Sequence, residues 1–228
     1  MIYWSDPLNL YRDNVRLALK ACEAYLIANK ASYDDLKTVG YFGRVLNHNV
    51  LLLYNGDMSE SEFVDDLADL VEKQFIRAWN EGARDVGVSP EQMTDVDLQE
   101  RDDLILEQYN YIENYAAEIA QASRDGTSVA PYQARADMWA NRYNEARDSA
   151  RIYFSRGTGQ LFEWVLGPTN EHCRHCGTLA GIVARADEWD ASGYRPQSED
   201  LECRGFNCLC ELQPSGKPRT EGGIPYIE

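Results

Sequence analysis

Five of the six cysteines, Cys173, Cys176, Cys203, Cys208 and Cys210, fall within 38 residues near the C-terminus, together with His172 and His175. Cys173-Arg174-His175-Cys176-Gly177 has the form of a zinc knuckle. Two thiolates three positions apart can chelate one ion, and the glycine eases the tight turn that follows. After 26 intervening residues comes Cys203-Arg204-Gly205-Phe206-Asn207-Cys208-Leu209-Cys210. If this half folds back, it completes a tetrahedral site, and the ion supplies an organising centre that a small module lacks in its own core.

All five are candidate ligands, and a tetrahedral ion takes four, so at least one is free, paired or outside the ligand shell. Cys173 and Cys176 are the clearest pair. On a strand, Cys208 and Cys210 would point to one face, which makes either a ligand but both an unusually tight chelate. Cys203 is the natural companion of one of them. Disulfides or inert buried thiols are the competing readings. The opening MIYWSDPLNLYRD has neither the basic start nor the apolar stretch of a signal peptide, so a reducing compartment and a metal are expected. The two histidines read as packing within the knuckle, and Cys22 as a small core residue of an apolar helix.

Catalytic uses of the cluster fit less well. A zinc deaminase needs His-x-Glu upstream of a proline-led Cys-x-x-Cys. Here Glu171 directly precedes His172, and no proline leads into Cys173. A redox motif needs Cys-x-x-Cys at the start of a helix, whereas Gly177 and the flanking Gly167-Pro168 point to a turn. There is no Walker A loop, dinucleotide fingerprint or serine elbow. His48 has no second histidine nearby, and no enzymatic activity is expected.

The elements that must position the cysteines differ on the two sides of residue 150. Residues 1–150 hold 27 acids and 14 bases, a net −13; residues 151–228 hold 11 and 8, a net −3, yet carry ten of the 16 glycines. The expectation is a mainly α protein: a helical body at 1–157 with long antiparallel helices, a small α+β zinc-ribbon-like module at 158–214, and an extended tail at 215–228.

Within the body, Ser5-Asp6-Pro7 opens a helix reaching about Asn29, and Asn55-Gly56 closes a second. Phe63, Leu67, Leu70, Val71, Ala78 and Trp79 form the apolar stripe of a third, whose end Gly82 and Gly87 weaken. Ser89-Pro90-Glu91-Gln92 is a capping-box pattern that opens the next region. There Leu98, Ile105, Ile112 and Ile119 recur every seven residues, as in a long helix packed lengthwise on a neighbour. Arg124-Asp125-Gly126 stops it, and Pro131 starts a partner carrying Trp139, Tyr143, Ala146, Ala150 and Phe154. The arginines of this partner helix alternate with acids and read as a salt-bridged face. In the module, Leu161–Leu166, Leu179–Ala184 and Leu209–Leu212 read as short strands, and Ala186–Ala191 as one helical turn.

Overall, 38 acids against 22 Lys plus Arg leave −16 and a pI near 4.6. That balance excludes a broad basic face for duplex nucleic acid and an electrostatic membrane anchor. No apolar run approaches the roughly 20 residues of a membrane span.

One stretch carries a family resemblance. Phe162 through Leu212, with Trp164-Val165-Leu166-Gly167-Pro168-Thr169, Glu171-His172-Cys173-Arg174-His175-Cys176, Leu179-Ala180-Gly181, Pro196-Gln197-Ser198, Leu201, Cys203 and Cys208-Leu209-Cys210, resembles the C-terminal region of the Mu F-like phage minor head (head morphogenesis) proteins. Their pattern is a tryptophan-bearing strand, a Cys-x-x-Cys, a leucine-glycine segment and a closing His-x-x-Cys-x-Cys. Here Cys203, five residues before Cys208, stands where the histidine is expected. The clear likeness covers about a third of the chain, with the helix at about 134–154 also similar. Residues 1 to about 130 match in general character alone.

The resemblance implies a structural, low-copy virion protein assembled in the host cytoplasm at the portal vertex or inner capsid surface, with a part in DNA packaging or ejection. Its implied partners are the portal protein, the major capsid protein and its own copies, with packaged DNA a weaker candidate and no membrane. Two other classes stay open: an enzyme, with toxin-like or transferase-like activity concealed in the unmatched N-terminal part, and a zinc-stabilised adaptor of a cellular complex.

Overall fold

The structure, a computed structural model, describes residues 39–168, 171–198, 200–205 and 208–227. The chain divides into two units, Met1–Phe42 and Gly43–Glu228. Of the first, residues 39–42 are described; the expected helix from Ser5 to about Asn29 and the core role of Cys22 lie outside the described residues.

Among the described residues, four long helices come first: α1 (Val39–Asn55), α2 (Glu60–Asp85), α3 (Asp95–Asp125) and α4 (Ala130–Ser155). Their starts are written in side-chain chemistry. Ser59 caps α2 in a reciprocal box with Glu62, and Thr94 caps α3 in the same way with Asp97. Gly126, at φ +65, ends α3 in the left-handed conformation that glycine adopts without steric cost.

Pairings between helix ends set directions. Glu60 at the start of α2 meets Arg124 at the end of α3, and Tyr153 at the end of α4 donates to Asp97 at the start of α3 at 2.9 Å. Thus α3 runs antiparallel to both α2 and α4. The predicted seven-residue repeat lies on α3, with Ile105, Ile112 and Ile119 buried and Leu98 half-buried. Tyr115 anchors the centre, edge-on to Phe63 and tilted against Trp139.

One expectation about the body is corrected. The capping box at Ser89 closes a single 3₁₀ turn, Pro90–Gln92, because Met93 returns to extended backbone and Thr94 caps the long helix afresh. The helix of Gly82 ends at Asp85, between Gly82 and Gly87 as expected, and Gly82 also has a packing role. It sits inside α2 where a Cβ would lie 2.1 Å from the Arg147 carbonyl oxygen, so its missing side chain lets α2 and α4 cross closely.

After Gly157 and Gly159, both at positive φ, the chain forms β1 (Leu161–Val165), α5 (Arg174–Leu179), β2 (Val183–Arg185), α6 (Ala186–Ser192) and β3 (Glu211–Ser215). The sheet is antiparallel in the order β2-β1-β3, with Phe162 opposite Ala184 and Pro214, and Trp164 opposite Leu212. Pro214 is tolerated because β3 is an edge strand. Phe162 and Trp164, alternate residues of β1, turn inward onto Trp189, Leu179, Leu201 and Leu212.

The expected strand at Leu179–Ala184 shrinks to Val183–Arg185, since Leu179 closes α5 and Gly181 turns at φ +75. The expected strand at Leu209–Leu212 starts later, at Glu211. The final residues run back over the module: Thr220 exchanges hydrogen bonds with Val183 at 2.8 and 2.9 Å, and the Ile227 N–H donates to the Tyr194 hydroxyl at 3.1 Å. The chain is therefore mainly helical, with a small three-stranded antiparallel sheet and a cysteine cluster. Among the described residues, no helix is long and apolar enough to cross a membrane.

Candidate metal centre

The Cys-x-x-Cys does open a helix, contrary to the turn expected from Gly177. Cys173 is the N-cap of α5, and its sulfur accepts the Cys176 N–H at 3.4 Å. Gly177 fits inside the helix with open space where a Cβ would stand. One amide thereby both caps the helix and holds the knuckle closed.

All five candidate cysteines come together. The sulfurs of Cys173, Cys176 and Cys203 lie within 4.8 Å of one another, and so do those of Cys176, Cys208 and Cys210. Cys176 belongs to both groups, and its sulfur stands 3.7 Å from that of Cys208. Cys176, Cys208 and Cys210 are buried, whereas Cys173 and Cys203 are half-buried. These groups could hold a metal ion.

Long-range hydrogen bonds bring the second half to the first. Glu202 is fastened twice to the start of α5: its carboxylate accepts the Arg174 N–H at 2.7 Å, and its own N–H donates to His175 Nδ1 at 3.1 Å. That places Cys203 beside Cys173 and Cys176. It also engages Nδ1 of His175, in keeping with a packing role for this histidine. Arg204 and Gly205 follow at φ +49 and +77, reversing the chain toward Cys208.

On the other side, Gly167 lets the end of β1 press against Leu209, whose carbonyl oxygen would be 2.3 Å from an added Cβ. The Trp164 indole N–H is buried and makes no hydrogen bond of ordinary length; it and the Gly167 N–H face the Cys210 thiol and lower its proton affinity. Gln197, fully buried at φ +66, donates from Nε2 to the Cys210 carbonyl oxygen at 2.6 Å. Its own carbonyl oxygen accepts from Arg142 of α4 at 3.0 Å.

Sequence reasoning assigned no site role to Glu202, Gly167 or Gln197. Gly167 carried a signal, as a glycine directly before proline at a strand end. The roles of Glu202 and Gln197 depend on partners 27 and 13 residues away.

Crowding of the thiols divides their proton affinities. Contact with Cys203, then Cys208 and Cys210, pushes the Cys176 thiol up. Contact with Cys176 holds Cys208 down and lowers Cys210 to about 3, with Cys208 and the Gly167 and Trp164 donors acting on Cys210 in the same direction.

No family model matches the chain, and no curated protein or solved structure matches it significantly.

Proposed function

We propose that this chain is a zinc-stabilised structural protein that acts by assembly, without catalysis. The observation that carries the metal reading is the gathering of five thiols from three separate segments into two groups with a common sulfur. Four thiolates held tetrahedrally at about 2.3 Å from zinc stand about 3.8 Å from each other. The Cys176–Cys208 separation of 3.7 Å matches that edge. Zinc supplies a redox-inert cross-link between the start of α5 and the approach to β3. The residues of the chain do the rest: the Cys176 N–H donates to the Cys173 sulfur, the Gly167 N–H and the Trp164 indole face Cys210, and Glu202 and Gln197 hold the flanking backbone. Metal analysis of freshly purified, reduced protein tests this reading; one zinc per chain is expected, and its absence would refute it.

The biological role proposed is the one implied by the resemblance of Phe162–Leu212 to the Mu F-like minor head proteins: a low-copy component of a phage head, meeting the portal protein, the major capsid protein and its own copies. The acidic composition supports protein partners over DNA, since −16 offers complementarity to a basic protein surface and repels phosphate. Purified heads should contain peptides of this chain at low copy, and a reconstruction should place it at the portal vertex or inner shell. Heads that lack it at every assembly stage would rule the role out.

A further inference from the structure

The residues after β3 cross from one edge of the sheet to the other. β3 ends at Ser215, opposite Leu161 of β1, yet Thr220 lies outside β2. There its N–H donates to the Val183 carbonyl oxygen at 2.8 Å and its hydroxyl accepts the Val183 N–H at 2.9 Å. Without Thr220, both backbone groups of Val183 would stand on an open sheet edge, which pairs readily with another chain. The hold on this segment is slight. From Gly216 to Ile227 no residue is buried, and among the described residues its one backbone bond to the module is the one at Val183. The rest are separate anchors: Lys217 on Glu163 at 2.6 Å, Arg219 Nε on both carboxylate oxygens of Glu188 at 2.9 Å, the Ile227 N–H on the Tyr194 hydroxyl, and Ile224 and Ile227 at the margin of the core. Lys217 and Arg219 are exposed, which makes their ion pairs weak. The link also has little slack. The five steps from Ser215 to Thr220 reach at most about 17 Å, and three strand spacings, from β3 past β1 and β2, take about 14 Å.

We propose that residues 219–227 form an exchangeable arm, which seats on the β2 edge of a second copy of this chain. The seat identifies its occupant: Val183, Glu188 and Tyr194 are matched to Thr220, Arg219 and Ile227, so an arm from another copy makes the same bonds. A short, tight hinge favours exchange, because the link at Gly216-Lys217-Pro218 is freed to straighten while every contact of residues 219–227 is remade in the other copy. Pro218 acts in the same direction by holding Lys217 away from helical backbone. Copies gathered in an assembly raise the effective concentration of arms around each seat, so exchange is strongest there. The proposal rests on the assembly reading above in one respect, contact between copies of the chain, and on neither the metal nor a phage head.

Arg219→Glu and Glu188→Arg, made in separate full chains, test this. Each sets like charges between its own arm and its own seat. Mixed in equal amounts, the two satisfy both seats by exchange alone, since the reversed arm meets the reversed seat and the native arm the native seat. Isotope-labelled copies are followed by native mass spectrometry and light scattering. The parent should form dimers as concentration rises, each single variant should form fewer, and the mixture should give heterodimers at least about tenfold in excess of either variant's homodimers. Glu188 also accepts the Arg185 N–H at the start of α6, so a chain carrying both reversals serves as the control for folding; it should dimerise as the parent does. Stopping the chain after Pro218 should abolish the dimers and speed exchange of the Val183 amide. Two glycines inserted after Gly216 should return dimers to monomers. A mixture without excess heterodimer, or a longer link that leaves the dimers unchanged, would overturn the proposal. Dimers that survive loss of the arm would overturn it while leaving contact between copies intact. A parent that is monomeric at every concentration would overturn both, and the zinc content would still decide the metal reading separately.

Discussion

The backbone N–H of Leu212 on β3 donates to Oδ2 of Asp148 on α4 at 3.0 Å, and Asp148 is completely buried. A helix carboxylate thus holds the strand that follows Cys208 and Cys210. Arg151 pairs with the other carboxylate oxygen at 2.9 Å and reaches on to Asp85 of α2 at 2.7 Å, while Arg147 meets Glu211 at 3.3 Å. These six groups tie α2, α4 and β3 together.

Burial raises the Asp148 carboxyl to about 6 from an ordinary 3.8, outweighing the opposing effects of Arg151, Arg147 and the Leu212 N–H. A raised value means that the folded state binds the proton more tightly than the unfolded one. The contribution of this group to stability is therefore fullest below 3.8 and is lost as pH rises through about 6. Asp148→Asn removes the titration, so its unfolding free energy relative to the parent should climb between pH 4 and 6, by an amount on the order of 3 kcal/mol, and be level outside that window. Asp148→Ala, which also orphans the Leu212 N–H, should cost about 1–3 kcal/mol more than Asn at every pH. Thermal unfolding across pH checks both; a pH-independent difference would contradict the first.

The common membership of Cys176 ranks the cysteine variants. Cys176→Ser removes a sulfur from both groups and Cys173→Ser from one, so the former should lose metal more completely. In either, and on chelation of the parent, amide exchange should accelerate in β1, β2 and β3 before it does in α2 and α4. Simultaneous loss of protection in helices and sheet would contradict this order.

Two glycines make an opposed pair. Gly82→Ala places a methyl group against the Arg147 carbonyl and the Ala150 methyl, and should destabilise by about 1–3 kcal/mol or more through separation of α2 from α4. Gly177→Ala meets open space inside α5 and should stabilise by up to about 1 kcal/mol. Denaturant titrations of the two should shift in opposite directions.

The start of α3 can be located by its cap. Thr94→Ala should cost about 1 kcal/mol, and Ser89→Ala less, because Ser89 closes a single turn while Thr94 starts a 31-residue helix. Asp97→Ala should exceed both, since Asp97 bonds the Thr94 N–H at 2.7 Å and also accepts from Tyr153 of α4. Chemical denaturation ranks the three; equal costs at Ser89 and Thr94 would contradict the assigned start.

Much of this fold was legible locally. The stripe from Phe63 to Trp79, the repeat from Leu98 to Ile119, the stop at Gly126 and the strand around Trp164 each depend on neighbours a few positions away, so periodicity and turn chemistry reveal them. The Ser89 pattern misled because two capping boxes lie five residues apart, and pattern alone does not say which starts the longer helix. The packing role of Gly82 was not legible because helix propensity describes a helix in water, whereas this glycine also faces the backbone of another helix.

By itself the sequence determined a helical body, a turn-rich module and the five sulfurs available to a metal, since residue type and short-range spacing decide those. Tertiary structure decided how the sulfurs are shared. Cys203 is brought to Cys173 by Glu202 bonding back to Arg174 and His175, and Cys210 is set under Trp164 by Gly167 and Gln197. Those contacts close loops of tens of residues, and such closures are settled by the packing of the whole module, to which no local pattern has access.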